Sequence, residues 1–180
     1  MKDTNQQFHQ IIAQCREVFQ KKNHDYGPSW TIFRLPSLTD QIYIKAHRIR
    51  TIEEKQESKV GESVEDSYLA IINYCIMALI QYERYTLQNN ISNDAENLLA
   101  YYDKKVNLAF DTLQAKNHDY GEVWRSMRVS SITDLILVKL ERIKQMEDNS
   151  SQSGISEDVD GNYIDILNYA IFSLILLNFV

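Results

Sequence analysis

The hexapeptide Lys22-Asn23-His24-Asp25-Tyr26-Gly27 recurs 94 positions later as Lys116-Asn117-His118-Asp119-Tyr120-Gly121. The same shift superposes Trp30 on Trp124, Arg34 on Arg128, Ser37 on Ser131, Thr39 on Thr133, Asp40 on Asp134, Lys45 on Lys139 and Arg48 on Arg142. After one inserted residue the register resumes with Val64/Val159, Tyr68/Tyr163, Asn73/Asn168 and Tyr74/Tyr169. Self-similarity of this extent marks a duplicated structural unit, so the fold must hold two copies of one arrangement. The polar stretch 88–97 is rich in turn and cap residues. It divides the chain into a first repeat (1–88), a linker (89–97) and a second repeat (98–180). A chain of 180 residues is expected to bury both repeats in one compact domain.

Five glycines and two prolines are too few breakers for the turns of a sandwich or barrel. Periodicity agrees. Phe8, Ile11, Ile12, Cys15, Val18 and Phe19 recur at helical spacing, as do Leu99, Tyr102, Val106, Ala109, Phe110 and Leu113. The hexapeptide is expected to end this first helix, since Asn tolerates and Gly favours the left-handed conformation that terminates one. A second helix is expected at Ser37-x-x-Asp40, repeated as Ser131-x-x-Asp134, a spacing similar to a capping box. The third, from about Ser63 to Leu87 and from about Asp158 to the C-terminus, is apolar nearly all round and belongs at the centre. The expected fold is an all-α six-helix bundle of two three-helix repeats related by a pseudo-twofold axis.

Cys15 and Cys75 lie far apart in a chain whose polar start has no secretory pattern, so reduced thiols and a cytoplasmic location are expected. A net charge of −6 without a basic block argues against long nucleic acid as a partner. A small anionic ligand held by a few local cations remains compatible. The apolar segment 163–180 contains Asp165 and Asn168 and falls short of the roughly 20 apolar residues of a membrane span, so a buried helix is expected. The sequence leaves open whether copies of the chain form a homo-oligomer.

Function is sought where polar residues interrupt apolar faces. Lys45 sits within the stripe Leu38, Ile42, Ile49 and Ile52 with Arg48 at its edge, and Lys139 and Arg142 repeat the placement. Such a lysine either snorkels to water or meets an anion. On the third helix Glu62, Asp66 and Asn73, and in the second repeat Asp165 and Asn168, form a polar line. Asp66 has an alternative as the partner of a Ser63 cap. Asp165 is too deep for that, and needs either a cation from the neighbouring helix or a metal such as Mg²⁺. His24 with Asp25, and His118 with Asp119, could act as base and orienter or as metal ligands, beside Tyr26 and Tyr120. Trp30 and Trp124 are either core or a stacking platform for a base.

The pattern K-N-x-D-Y-G, then W, then K-x-x-R-I, then an acidic helix ending in N-Y, resembles the nucleotide modification associated domain 1 family, in two tandem copies. That family is similar in layout to all-α MazG-like NTP pyrophosphatases. The resemblance implies nucleotide handling: Asp25, Asp66, Asp119 and Asp165 would coordinate Mg²⁺, and Lys45, Arg48, Lys139 and Arg142 would bind phosphate. The chain departs from the MazG-like pattern in having its one E-x-x-E, Glu62 to Glu65, at a helix start. It departs again in placing Ala70 at the position of Asp165 and Gly161 at that of Asp66, so neither repeat has both carboxylates. Two functions follow: a nucleotide-binding, Mg²⁺-dependent pyrophosphohydrolase-like protein, or a non-catalytic helical binding module with structural buried ion pairs.

Overall fold

A computed structural model describes residues 3–149 and 159–178. Among the described residues there are six α-helices and no strands. The first repeat comprises α1 (Thr4–Tyr26), α2 (Leu35–Lys55) and α3 (Val64–Tyr85). The second comprises α4 (Ala95–Tyr120), α5 (Val129–Asn149) and α6 (Val159–Asn178). In each repeat a single 3-10 turn, Ser29–Ile32 or Val123–Ser126, follows the hexapeptide. The third helix of the second repeat was expected from Asp158; that residue and the rest of 150–158 lie outside the described residues.

Local chemistry explains most boundaries. Asp3 caps α1 through its carboxylate, which accepts the N–H groups of Asn5 and Gln6. The first helix of each repeat ends at the hexapeptide's glycine, Gly27 at φ +65° and Gly121 at φ +64°. A side chain is strained in that region of backbone space, whereas glycine enters it freely. Ser63 caps α3 in a full capping box: its Oγ accepts the N–H of Asp66 at 3.0 Å, and the Asp66 carboxylate accepts the N–H of Ser63 at 2.9 Å.

The expected start of the second helices is wrong by two residues. Arg34 is the N-terminal flanking residue of α2, Pro36 lies in its first turn, and Ser37 is already helical; α5 likewise begins at Val129, before Ser131. Proline in the first turn lacks an N–H that would in any case be unpaired, and its fixed φ suits the helix. In α2 that signal outweighs the Ser-x-x-Asp spacing; α5 starts at the equivalent residue with Ser130 in place of the proline. Asp40 and Asp134 instead face the opposite repeat, 3.8 Å from Lys144 Nζ and 3.5 Å from an Arg50 nitrogen.

α3 packs against α2 and α6, and α5 against α6 and α2, while α1 and α4 cover the outside. Exchanging the repeats leaves this pattern unchanged, which is the pseudo-twofold expected of the duplication. The core runs continuously through Phe8, Leu38, Ile42, Ile49, Ile71, Ile136, Leu140 and Ile171, all without solvent exposure. Each such side chain contributes about 1.5–3 kcal/mol on burial. Paired polar networks pin the two repeats together. The Tyr68 hydroxyl meets Thr133 Oγ1 at 2.8 Å, and Thr133 donates to Glu53 at 2.9 Å. Their symmetry mates, Tyr163, Thr39 and Glu147, repeat these contacts at 2.7 and 2.8 Å. Cys15 and Cys75 are buried free thiols, and burial pushes Cys15 up to about 12, so neither is a nucleophile at neutral pH. No helix among the described residues is long and apolar enough to cross a membrane.

Candidate functional site

The end of α1, the 3-10 turn after it, α2 and α3 enclose a cleft of about 690 Å³ in the first repeat. Its apolar wall is built from Phe19, Trp30, Phe33, Leu69 and Met77, and its polar groups are Lys22, Asn23, Tyr26, Lys45, Glu62, Asp66, Asn73 and Tyr74. A largely apolar hollow with a few convergent polar groups is the usual form of a small-molecule site. Val18, expected in the core, is 41% exposed and lies at this cleft instead.

The hexapeptide divides its side chains between two roles. Asn23 Oδ1 accepts the Trp30 indole N–H at 3.0 Å, and Asn117 does the same for Trp124 at 3.2 Å, which ties each tryptophan to the end of the preceding helix. Both indoles are largely buried, so the core alternative describes them, although Trp30 also lines the cleft. Lys22, Tyr26 and Gly27 face the cleft, whereas His24 turns to a second hollow beside Glu17, Lys21 and Glu96. His24 Nδ1 is 3.1 Å from Asp25 Oδ1, and His118 stands in the same relation to Asp119, with both imidazoles 88% exposed. His24, Asp25 and Arg48 thus do not line the cleft that Lys45 and Asp66 share. Helical geometry explains it, because His24 is two positions from both Lys22 and Tyr26, so it projects from a different side.

Lys45 reaches the cleft from its apolar stripe and pairs with Glu62 at 2.6 Å. Arg48 donates to Ser67 Oγ at 2.6 Å, to the Ser63 carbonyl at 3.2 Å and to the Glu62 carbonyl, so it fastens α2 to the start of α3. Asp66 is occupied as the cap of α3. The hydrogen bonds from Ser63 hold its carboxyl below the usual carboxylate range, helped by the charges of Arg48 and Lys45. Among the described residues Lys22 has no ion-pair partner.

The second repeat is arranged differently at the same address. Asp165, which stands where the first repeat has Ala70, accepts from Lys116 through one oxygen and lies 2.8 Å from Lys139 Nζ through the other. Lys116 and Lys139 are the counterparts of Lys22 and Lys45. The cation alternative for Asp165 is thus realised by lysines from two elements rather than by an arginine, and Arg142 is exposed. Tyr120, like Tyr26, is exposed. Asn73 and Asn168 are both structural. Their amide nitrogens donate to the carbonyls of Cys15 and Ala109, each at 3.0 Å, which anchors α1 on α3 and α4 on α6.

Among the described residues the carboxylates do not assemble a metal site. Asp25 and Asp119 are paired with exposed histidines, Asp66 caps a helix, Asp165 is held by two lysines, and Glu62 is taken by Lys45. Among the described residues no three His, Cys, Asp or Glu side chains are grouped to hold an ion. Among the described residues the carboxylates present do not fit a resident Mg²⁺.

A family model described as nucleotide modification associated domain 1 matches the chain twice, over residues 22–82 and 116–177. The chain belongs to this family. Each match begins on the hexapeptide's lysine, so it takes in the second and third helices of a repeat and only the end of the first, and Lys22, Lys45, Lys116 and Lys139 all fall inside the matched segments. No curated protein and no solved structure matches the chain. Lys22 and Asn23 are the residues that sequence reasoning passes over. Their signal is the one that exposes the duplication, since they open the repeated hexapeptide, but their roles depend on which way the last turn of α1 faces.

Proposed function

We propose that the chain binds a small phosphorylated ligand, a nucleotide first among them, in the cleft of the first repeat. The observation that carries this reading is that Lys22, Lys45 and Ala70 line one cleft, where the second repeat sets a carboxylate between the corresponding lysines. The cleft is lined by the cations Lys22 and Lys45 and the carboxylates of Glu62 and Asp66. Glu62 pairs with Lys45 and Asp66 caps α3, so Lys22 is the cation open to an incoming anion. Phosphate would meet Lys22 as a mobile point charge and Lys45 as a fixed one, while the apolar wall takes the less polar part of the ligand.

A binding module is the reading the donor set favours. Hydrolysis of a nucleoside triphosphate is the second reading, favoured by the presence of Glu62 and Asp66 on the wall that carries Lys45. Any Mg²⁺ would then enter with the phosphates. A thermal-shift screen of nucleoside mono-, di- and triphosphates, with and without Mg²⁺, tests both. A ligand of the folded state at a hundred times its Kd stabilises by about 2.7 kcal/mol, an easily read shift. Stabilisation by one class of nucleotide that is lost in Lys22→Ala supports binding; no stabilisation by any of them overturns it. Mg²⁺-dependent release of pyrophosphate would decide for the hydrolase.

A further inference from the structure

The cleft positions on the third helices differ between the repeats at Asp66/Gly161, Leu69/Ile164, Ala70/Asp165 and Met77/Phe172, and the last two differences complement each other. Ala70 corresponds to Asp165, whose carboxylate is clasped by Lys116 and Lys139. About two turns further along the helix, Met77 corresponds to Phe172. The Phe172 ring lies flat on the Trp124 indole, with centroids 4.2 Å apart and planes 5° from parallel. In the first repeat the equivalent indole, Trp30, has Met77 beside it on the cleft wall and a tilted contact with Phe19 at 5.9 Å. The second repeat therefore carries, within its own chain, an anion between two lysines and an aromatic ring stacked on a tryptophan, on one face of one helix. The first repeat keeps the lysines and the tryptophan, has Glu62 on Lys45 alone, and lacks both a carboxylate shared by the two lysines and the stacked ring.

We propose that the side chains of Asp165 and Phe172 occupy the second repeat as a built-in counterpart of the ligand. The first repeat alone then receives that ligand, a molecule with an aromatic base near Trp30 and a phosphate between Lys22 and Lys45. This inference rests on the binding reading and adds three things to it: the orientation of the ligand, its aromatic class and a stoichiometry of one per chain. Methionine suits the open copy, because its unbranched thioether side chain moves aside for a ring and packs well against one. Phenylalanine suits the closed copy, where an offset aromatic pair needs no ligand. The carboxylate likewise satisfies two lysines that would otherwise face each other across the cleft.

Isothermal titration of the full chain with a uridine, cytidine, adenosine or guanosine monophosphate, each beside inorganic phosphate, reads the stoichiometry. One site per chain is expected, with the nucleotide binding more tightly than phosphate; two equal sites overturn the proposal. Ala70→Asp copies the closed repeat into the open one between lysines that can accept it, and should weaken nucleotide binding at least tenfold with the helical circular dichroism intact. Unchanged affinity in this folded variant would contradict the proposal. The reciprocal change, Asp165→Ala with Phe172→Met, should raise the stoichiometry from one to two, and phosphate should raise its melting temperature more than that of the parent. Should this double variant fail to fold, Phe172→Met alone still reports, since it should let a nucleoside quench Trp124 fluorescence in a Trp30→Phe background. Binding by the opened variant when the parent binds nothing would sink the first-repeat site and leave the ligand-mimic relation standing, so the two failures are distinguishable.

Discussion

The hydroxyl of Tyr102 on α4 donates to Asn73 Oδ1 on α3 at 2.8 Å, joining the outer helix of one repeat to the central helix of the other. The pseudo-twofold mate of Tyr102 is Phe8, which has no hydroxyl, and Asn168 Oδ1 is buried with no hydrogen-bond partner among the described residues. A buried acceptor without a donor costs about 1–3 kcal/mol. Phe8→Tyr places a hydroxyl where the symmetry requires one and is expected to raise stability by about 1 kcal/mol, read by urea unfolding. A loss of stability would show that the packing of Phe8 against Phe110 leaves no room for the oxygen.

Duplication and helical periodicity are legible because both are written in residue spacing. The repeated hexapeptide locates the ends of α1 and α4, and Ser63 with Asp66 announces the cap of α3. The partners of Asp165 are not legible. They come from the end of α4 and the middle of α5, and only the packing of three helices brings Lys116 and Lys139 to one carboxylate. His24 and Asp25 draw attention through their chemistry; spacing sets His24 on a different side of α1 from Lys22 and Tyr26, but which side meets the cleft is decided by how α1 packs on α3. The start of α2 is easily misread because Pro36 and Ser37 carry competing helix-start signals one residue apart.

Glu83 near the C-terminal end of α3 is buried beside Lys105 and also accepts from Lys104 and Asn89 at 3.0 and 2.9 Å. Burial works against its charge, but the bonds from these three groups prevail and bring its carboxyl from 4.5 down to about 2. Because the folded value lies below the unfolded one, its contribution is complete above the unfolded value and is lost as pH falls through the folded one. Glu83→Gln leaves Lys105 without its counter-charge and should cost about 3 kcal/mol at pH 7. The difference between variant and parent should shrink between about pH 4.5 and pH 2. A variant as stable as the parent at pH 7 would contradict this assignment.

Glu53 and Glu147 behave in the opposite sense. Burial at the seam raises both carboxyls above 4.5 and outweighs the bonds from Thr133 to Glu53 and from Thr39 and Tyr163 to Glu147. A carboxyl whose folded value exceeds its unfolded one favours folding when protonated. That contribution is fully present below the unfolded value and lost as pH rises through the folded value. Glu53→Gln and Glu147→Gln should therefore be neutral or stabilising by about 1 kcal/mol at pH 7, since the amide still accepts from threonine without carrying a charge. Thermal melts from pH 4 to pH 8 should show a flatter profile in the double variant. A loss of several kcal/mol at neutral pH would mean that the charge itself joins the repeats.

The chain has two tryptophans, one in each repeat, each with its indole N–H bound by the asparagine of the same hexapeptide. They make a pair of matched reporters, observed as two indole N–H signals by ¹H–¹⁵N NMR and assigned with Trp30→Phe. Titration with the nucleotide found by thermal shift should move the Trp30 signal saturably and leave Trp124 in place, with the response lost in Lys22→Ala. A Trp124 signal that moves while Trp30 stays fixed, or two signals that never move, would contradict a ligand site in the first repeat.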